Sequence, residues 1–150
     1  MTRLLDARTS QNSSFARSLA IPLLPPSQEA LFAVVGLNCL DPSGIVRAEF
    51  TASVSIQYEP GGLRDVTISV YRQLVRGNAA LSGTVLVYTA TLSEPTLVDA
   101  SVRVFTVSGN DYDIPAEENS AVKYTVYVSG NATGMVRVGP ESFSASLYCD

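Results

Sequence analysis

Residues 47–58, with the sequence RAEFTASVSIQY, show the cleanest alternation of apolar and polar residues in the chain. Successive side chains of a β-strand point to opposite faces of a sheet, so this pattern predicts a long strand with one buried and one solvated face. The turn-forming sequence Glu-Pro-Gly-Gly follows at 59–62. The predicted buried face carries Ala48, Phe50, Ala52, Val54, Ile56 and Tyr58.

Strand-like patterns recur along the chain from residue 31 onwards. Glycine, proline, asparagine and aspartate cluster between them, as expected for turns. No segment shows the 3.6-residue period of an amphipathic helix. We therefore predict an all-β fold, an antiparallel sandwich or barrel of about eight strands. The other predicted strands include residues 31–39, 66–71, 85–92, 98–104, 122–128 and 143–149.

Residues 1–30 differ from the rest, because they are rich in Ser, Asn, Gln and Arg and show no sustained period. Consecutive prolines favour an extended backbone. Two interpretations stay open: a disordered tail, or a connector that docks on a neighbouring subunit. We predict a flexible or docking N-terminal arm at 1–30 and a β-sandwich or barrel domain at 31–150. The residues predicted to mediate assembly are Ile21, Pro22, Leu23, Leu24, Pro25 and Pro26.

The composition is poor in charge. Charged residues make up 16% of the chain, against about 25% in average soluble proteins, and the mean hydropathy is +0.19. Such a chain either buries surface in an oligomer or has a polar, uncharged surface. The net charge is −4 and the basic residues are scattered. Because nucleic-acid binding needs a basic surface, we predict no nucleic-acid partner.

The residue types present argue against an enzyme. There is no histidine, which removes the usual general acid–base residue, the histidine-dependent nucleophiles and the common zinc sites. We predict no catalytic residues, no metal site and no cofactor. No stretch approaches the ~20 apolar residues of a membrane span, and the N-terminus is a poor signal peptide. We therefore expect no membrane span and synthesis without a signal peptide.

The chain has two cysteines, Cys39 and Cys149. Their separation excludes a CxxC metal or redox motif. Three interpretations stay open: two free thiols, an intrachain disulfide that joins the first core strand to the last, or a disulfide between subunits. Cys149 is the penultimate residue, so we expect it to be mobile.

An acidic loop between two predicted strands is the candidate ligand loop. Its oxygen-bearing side chains could bind Ca²⁺, but their spacing does not match that of an EF-hand loop. The mismatch favours a solvated turn over a metal site. The candidate residues are Asn110, Asp111, Asp113, Glu117 and Glu118.

Three stretches point to one family. Residues 47–58 are followed by VTISVYR at 66–72, Asp113-Ile114-Pro115 is followed by YTVYV at 124–128, and VGPESFSASLY stands at 138–148. Together they resemble the jelly-roll heads of the tumour-necrosis-factor and complement-head type, whose bacterial versions occur on endospore surfaces and in spore appendage fibres. The resemblance runs from about residue 31 to the end of the chain. Together with the strand count, it implies that residues 31–150 are a jelly-roll domain, an antiparallel jelly-roll β-sandwich of about eight strands preceded by an extended N-terminal arm.

The resemblance implies threefold association of heads around an apolar axis and carries over no catalytic residue. The collagen-like Gly-X-Y repeat of stalked members is absent, and the N-terminal arm stands in its place. This favours a fibre or lattice subunit whose arm enters the next unit. A spore protein made in the mother cell needs no signal peptide, so the expected location is the spore surface or an extracellular appendage.

The main hypothesis is a structural, self-assembling subunit of a spore-surface layer or appendage fibre, in which the arm links trimeric jelly-roll heads. Its expected partners are further copies of itself, in a trimer or a filament, and other spore-surface proteins. One alternative is an adhesion or ligand-binding module that recognises a glycan or a protein. Another is a viral or phage capsid or tail component.

Overall fold

The computed structural model describes residues 1–23, 28–95 and 99–150, and within these ranges all regular structure is β-strand. The strands are β1 (Arg3–Ser13), β2 (Ile21–Pro22), β3 (Ala30–Cys39), β4 (Val46–Tyr58), β5 (Arg64–Arg76), β6 (Ala79–Ala80), β7 (Val85–Glu94), β8 (Ser101–Asp111), β9 (Ser120–Gly130), β10 (Met135–Arg137) and β11 (Glu141–Cys149).

Eight long strands form two antiparallel sheets. The first sheet has the order β1-β11-β4-β8, and the second has the order β3-β9-β5-β7. Counting the long strands alone from one to eight, these orders read 1-8-3-6 and 2-7-4-5, which is the double Greek key of a jelly roll. In the first sheet, the short β10 pairs with the end of β4 and the short β2 pairs with β10. In the second sheet, the short β6 pairs with the end of β5. The predicted fold class is confirmed.

The core lies between the two sheets and is formed by alternate residues of the central strands. All six residues predicted to share the buried face of residues 47–58 are at most 3% exposed. The same alternation holds in β9 and β11, where every second residue is buried. Each fully buried large apolar side chain contributes about 1.5–3 kcal/mol through removal from water. These strands therefore determine both the sandwich and its stability.

The N-terminal arm is the first point at which the structure differs from the sequence prediction. Arg3–Ser13 is not an arm in the structure but β1, the edge strand of the first sheet, paired along its length with β11. Directly opposite residues in an antiparallel pair share a face, so Asp6, Arg8 and Ser10 lie on the same side as the buried Leu147, Ala145 and Phe143. The core-facing side of β1 is polar, and its sequence consequently lacks the alternation that reveals a strand.

The assembly residues of the predicted arm have several locations. Ile21 and Pro22 form β2, which pairs with β10, and Leu23 is buried in the core of its own chain. Leu24, Pro25 and Pro26 lie outside the described residues. Within the described part of this segment, the apolar side chain of Leu23 therefore contacts its own sandwich.

The predicted strands at 85–92 and 98–104 differ in detail from the structure. The sequence of residues 85–92 has apolar residues on both faces of the strand, but β7 is an edge strand, with Val85 and Leu86 about half exposed. The strand expected at 98–104 begins at Ser101, and residues 96–98 lie outside the described ranges. No helix among the described residues is long and apolar enough to cross a membrane.

Candidate functional site

Asp111 of the acidic loop is buried and makes its hydrogen bonds inside the protein. Asp111, the last residue of β8, is 7% exposed and accepts hydrogen bonds from Arg72 Nη1 at 2.8 and 2.9 Å and from the Tyr124 hydroxyl at 2.8 Å. Burial, followed by the negative charge of Asp111, raises the pKa of Tyr124 well above its usual value. Tyr124 therefore stays a protonated donor, and the three side chains fix the end of β8 to both β5 and β9.

The other loop residues lie nearer the surface. Glu117 pairs with Arg76 at 3.1 Å, and the Glu118 carbonyl accepts a hydrogen bond from the same guanidinium. Asp113 has a φ of 53°, in the left-handed region that aspartate tolerates. In the three described ranges, no group of three or more His, Cys, Asp or Glu side chains is placed to hold a metal ion. The ligand-binding role of this loop stays a prediction.

Asn110 lies apart from the remainder of the loop, on the outer surface of the first sheet. It lines a shallow groove of about 400 Å³ together with Glu49, Thr51, Ser108 and Ser146. These side chains come from three neighbouring strands and belong to the solvated sides of the alternating patterns.

Both cysteines are free, fully buried thiols. The expectation of a mobile Cys149 is wrong, because β11 continues to Cys149 and pairs there with β4 and β1. Hydrogen bonds from Ser43 and Arg3 lower the pKa of Cys149, with Arg3 Nη2 3.7 Å from its Sγ. Burial, followed by the proximity of Cys149, raises the pKa of Cys39. Cys39 is the last residue of β3 and Cys149 is the last residue of β11, so each thiol lies at the end of its strand.

The outer surface of the first sheet is lined with hydroxyl groups, and we call it the hydroxyl face. One row of opposite residues crosses all four strands, and the next row repeats the pattern. Cross-strand hydroxyl pairs lie 3.1 Å apart in the first row and 2.8 Å apart in the second. The rows are Thr9–Ser144–Thr51–Ser108 and Gln11–Ser142–Ser53–Thr106. Neither row contains a charged residue.

The outer surface of the second sheet carries an apolar band instead, the apolar stripe. Leu31 lies opposite Tyr127, and the row Val34–Thr125–Tyr71–Leu86 runs across all four strands beside them. The apolar stripe is formed by Leu31, Val34, Tyr71, Leu86 and Tyr127. Leu31, Val34 and Leu86 are 49%, 45% and 49% exposed, which is high for large apolar side chains grouped on one face.

The two tyrosines of the apolar stripe form its centre. The Tyr71 and Tyr127 rings make an edge-to-face contact with centroids 5.4 Å apart, and the Tyr71 hydroxyl donates to both carboxylate oxygens of Glu29. This hydrogen bond to Glu29, together with burial, raises the pKa of Tyr71. Beside the rings is a groove of about 350 Å³, lined also by Thr84.

The sequence contained a signal for this site. In 66–71 and 122–128 the solvated side of the alternation includes Tyr71 and Tyr127 beside Thr67, Ser69 and Thr125. Tyrosine is enriched at protein interfaces, so its presence on the solvated side of two strands is a sequence signal for this site. Only the strand order shows that Tyr71 and Tyr127 lie side by side with Leu31 and Val34.

The fold defines the protein as an eight-stranded jelly-roll sandwich. No family model and no curated protein matches the chain. Solved structures that resemble it include infectious bursal disease virus strains Gx and Gt, with 8% identity and TM-scores of 0.46 and 0.47 over 97% and 93% of this chain. Another is the Clostridium thermocellum xylanase 10B CBM22-1–GH10 modules complexed with xylohexaose, with 10% identity and a TM-score of 0.34.

This chain covers 33%, 32% and 29% of those three chains, so it spans about a third of their length. Their sequence identity and TM-scores are too low to support a statement about function. The surfaces of this chain are therefore the basis of its proposed function.

Proposed function

We propose that this protein is a structural, non-catalytic subunit that assembles with copies of itself in a spore-surface layer or appendage fibre. The observation that carries the proposal is the apolar stripe. Large apolar and aromatic side chains cross the full width of one sheet and are surrounded by polar residues. Such a patch is typical of a surface that another protein covers.

The charge distribution supports a copy of the same chain as the partner. The five side chains of the apolar stripe are uncharged, and the Glu29 carboxylate beside them is hydrogen-bonded to the Tyr71 hydroxyl, so two identical stripes can meet through uncharged side chains. Each tyrosine offers a rigid ring for burial and a hydroxyl for hydrogen bonding, which suits a contact between folded blocks. The resemblance to threefold heads makes a trimer the expected closed assembly, and its spore-borne members supply the proposed location.

Light scattering coupled to gel filtration and negative-stain microscopy test the proposal on the full chain. We expect an assembly larger than one chain, which Val34→Lys in the apolar stripe reduces to monomer. Thr51→Lys on the hydroxyl face is the matched control, because it also adds an outward lysine to the middle of a strand, and it should leave the assembly intact. A monodisperse monomer across the accessible concentration range, or equal effects of the two variants, would overturn the proposal.

The groove beside the tyrosines favours a second candidate function, a ligand-binding or adhesion module. An aromatic ring can contact the apolar face of a sugar ring, and a carboxylate beside it can accept hydrogen bonds from the sugar hydroxyl groups. Binding of the wild-type chain to an immobilised glycan library, lost in Tyr127→Ala and retained in Thr51→Ala, would support it. No binding to any glycan would remove glycans from this alternative.

A further inference from the structure

The edge strand β1 is held differently from the other long strands of the sandwich. It pairs with β11 alone, and Ser13 is its only buried residue. Leu5 is its one apolar side chain that packs, in part, against the core. Its attachment to the sheet thus depends mainly on the backbone ladder, as does a peptide that adds to a sheet edge.

Specific contacts hold the two ends of β1. Near its start, Arg3 donates to the Asp41 carbonyl and contacts Cys149 Sγ. Near its end, Asn12 donates to Glu141. The three partner residues, Asp41, Cys149 and Glu141, all lie outside β1, so a second copy of the chain has the same partners for β1. A transfer of β1 between copies would preserve every one of these contacts.

The connection after β1 is short and has an unfavourable backbone conformation. Ser14–Ser18 forms the turn, and Leu19 already donates to the Val138 carbonyl in the sheet. Arg17 has a φ of 60°, in the left-handed region that is sparsely populated by residues with a branched or long side chain. Extension of this turn would release that strain. Short, strained hinge segments favour the exchange of elements between chains.

We propose that β1 is exchanged between copies, so that Arg3–Ser13 of one chain pairs with β11 of a second chain. The occupant of the β11 edge is then a defined segment of an identical partner. Two chains that exchange β1 reciprocally form a closed dimer, and chains that each donate to the next form an open filament. This interface is separate from the apolar stripe and does not depend on it.

Engineered thiols at one strand pair provide the test. Thr9 and Ser144 lie directly opposite on β1 and β11, and opposed residues in an antiparallel pair fall within the Cα separation that a disulfide needs. Cys39→Ala and Cys149→Ala remove the native thiols. One full-length chain then carries Thr9→Cys, and a second, distinguishable by a tag, carries Ser144→Cys. The two are unfolded, mixed, refolded and oxidised with glutathione disulfide.

We expect a covalent heterodimer of the two variants on a non-reducing gel. The control mixture combines Thr9→Cys with Thr67→Cys, whose outward thiol on β5 belongs to the other sheet, and it should lack this band. A third chain with both Thr9→Cys and Ser144→Cys reports folding, because its unexchanged form closes an internal disulfide. A heterodimer no more abundant than in the control, with only internal disulfides in the double variant, would overturn the proposal.

The same samples separate this inference from the proposed self-assembly. If light scattering shows a Val34-dependent assembly while every disulfide is internal, strand exchange is wrong and the proposed function is retained. If the heterodimer forms in a protein whose stripe variants assemble normally, strand exchange is supported and the role given to the apolar stripe is wrong.

Discussion

The first and last strands of this jelly roll lie side by side in one sheet, yet they are built in opposite ways. β11 buries every second side chain, including Phe143 and Leu147, which are fully buried. On the same side of the sheet, β1 has the polar residues Asp6, Arg8 and Ser10. β11 is stabilised by apolar burial, whereas β1 is attached by the backbone ladder and a few polar contacts.

This difference shows how an edge strand can complete a sheet without contributing to its core. Polar, inward-facing residues at a sheet edge also protect it against unwanted pairing. Asp6 is one such inward-facing polar residue. Its carboxylate accepts a hydrogen bond from the Asn38 backbone amide of β3 at 2.8 Å and so bridges the edges of the two sheets. Four sets of variants test the contrast between β1 and β11.

The largest effect is expected at one strand pair. Phe143 and Ser10 are opposite each other on β11 and β1. We expect Phe143→Ala to lower the free energy of unfolding by about 4 kcal/mol, because it leaves a cavity in the core. Ser10→Ala should change it by less than about 0.5 kcal/mol, as most surface substitutions do. Urea unfolding of both variants measures the difference, and similar losses would show that β1 is part of the core.

A buried ion pair at the start of β11 gives the second effect. Arg137 Nε donates to Glu141 at 3.0 Å, and the two side chains are 4% and 0% exposed. Glu141→Ala should cost about 3 kcal/mol, because it leaves a buried guanidinium without its counter-charge. The double variant Arg137→Met, Glu141→Leu should recover most of that loss in the same urea experiment. A double variant as unstable as Glu141→Ala would contradict this explanation.

Asn12 is the contact through which β1 joins this ion pair. We expect Asn12→Ala to cost about 1 kcal/mol, since Asn12 is exposed but its amide donates to the charged carboxylate of Glu141. Gln11→Ala, one residue earlier on the outward side of β1, is the control and should be close to neutral. Amide hydrogen exchange should also show faster opening of β1 in Asn12→Ala with unchanged protection of β11. Equal acceleration in both strands would contradict a separate attachment of β1.

The smallest effect depends on pH. Burial opposes ionisation of Asp6, but hydrogen bonds from the Asn38 amide, Arg8 and the Ala7 amide outweigh it, so its pKa lies below the usual 3.8. Because the folded-state pKa is lowered, the stabilisation is present above about pH 4 and is lost as the pH falls through the folded value. Asp6→Asn should therefore destabilise at pH 7, by less than about 1 kcal/mol.

The stability difference between wild type and Asp6→Asn in urea unfolding should be smaller at pH 2.5 than at pH 7. Asp113→Asn, in the exposed loop before β9, serves as the charge-matched control and should show a smaller change between the two pH values. A difference between wild type and Asp6→Asn that does not depend on pH would contradict an ionised, hydrogen-bonded Asp6.

The strands that sequence reasoning found are those whose burial alternates. Residues 47–58 and 143–149 were predicted because each second residue is apolar, and each forms a strand with that face buried. β1 was missed because its core-facing residues are polar, and no local pattern distinguishes such a strand from a tail. The role of Asp111 was equally hidden, because Arg72 and Tyr124 are distant in sequence and meet it only through the strand order.

The sequence by itself determined an all-β fold, because the period of its apolar residues can be satisfied only by strands that bury one face. It also determined a charge-poor surface without histidine chemistry. The tertiary structure decided that the N-terminal segment is the first strand of the jelly roll and that five residues from four strands form one apolar stripe. Both depend on which strands become neighbours, and that is set by long-range pairing that no local period in the sequence encodes.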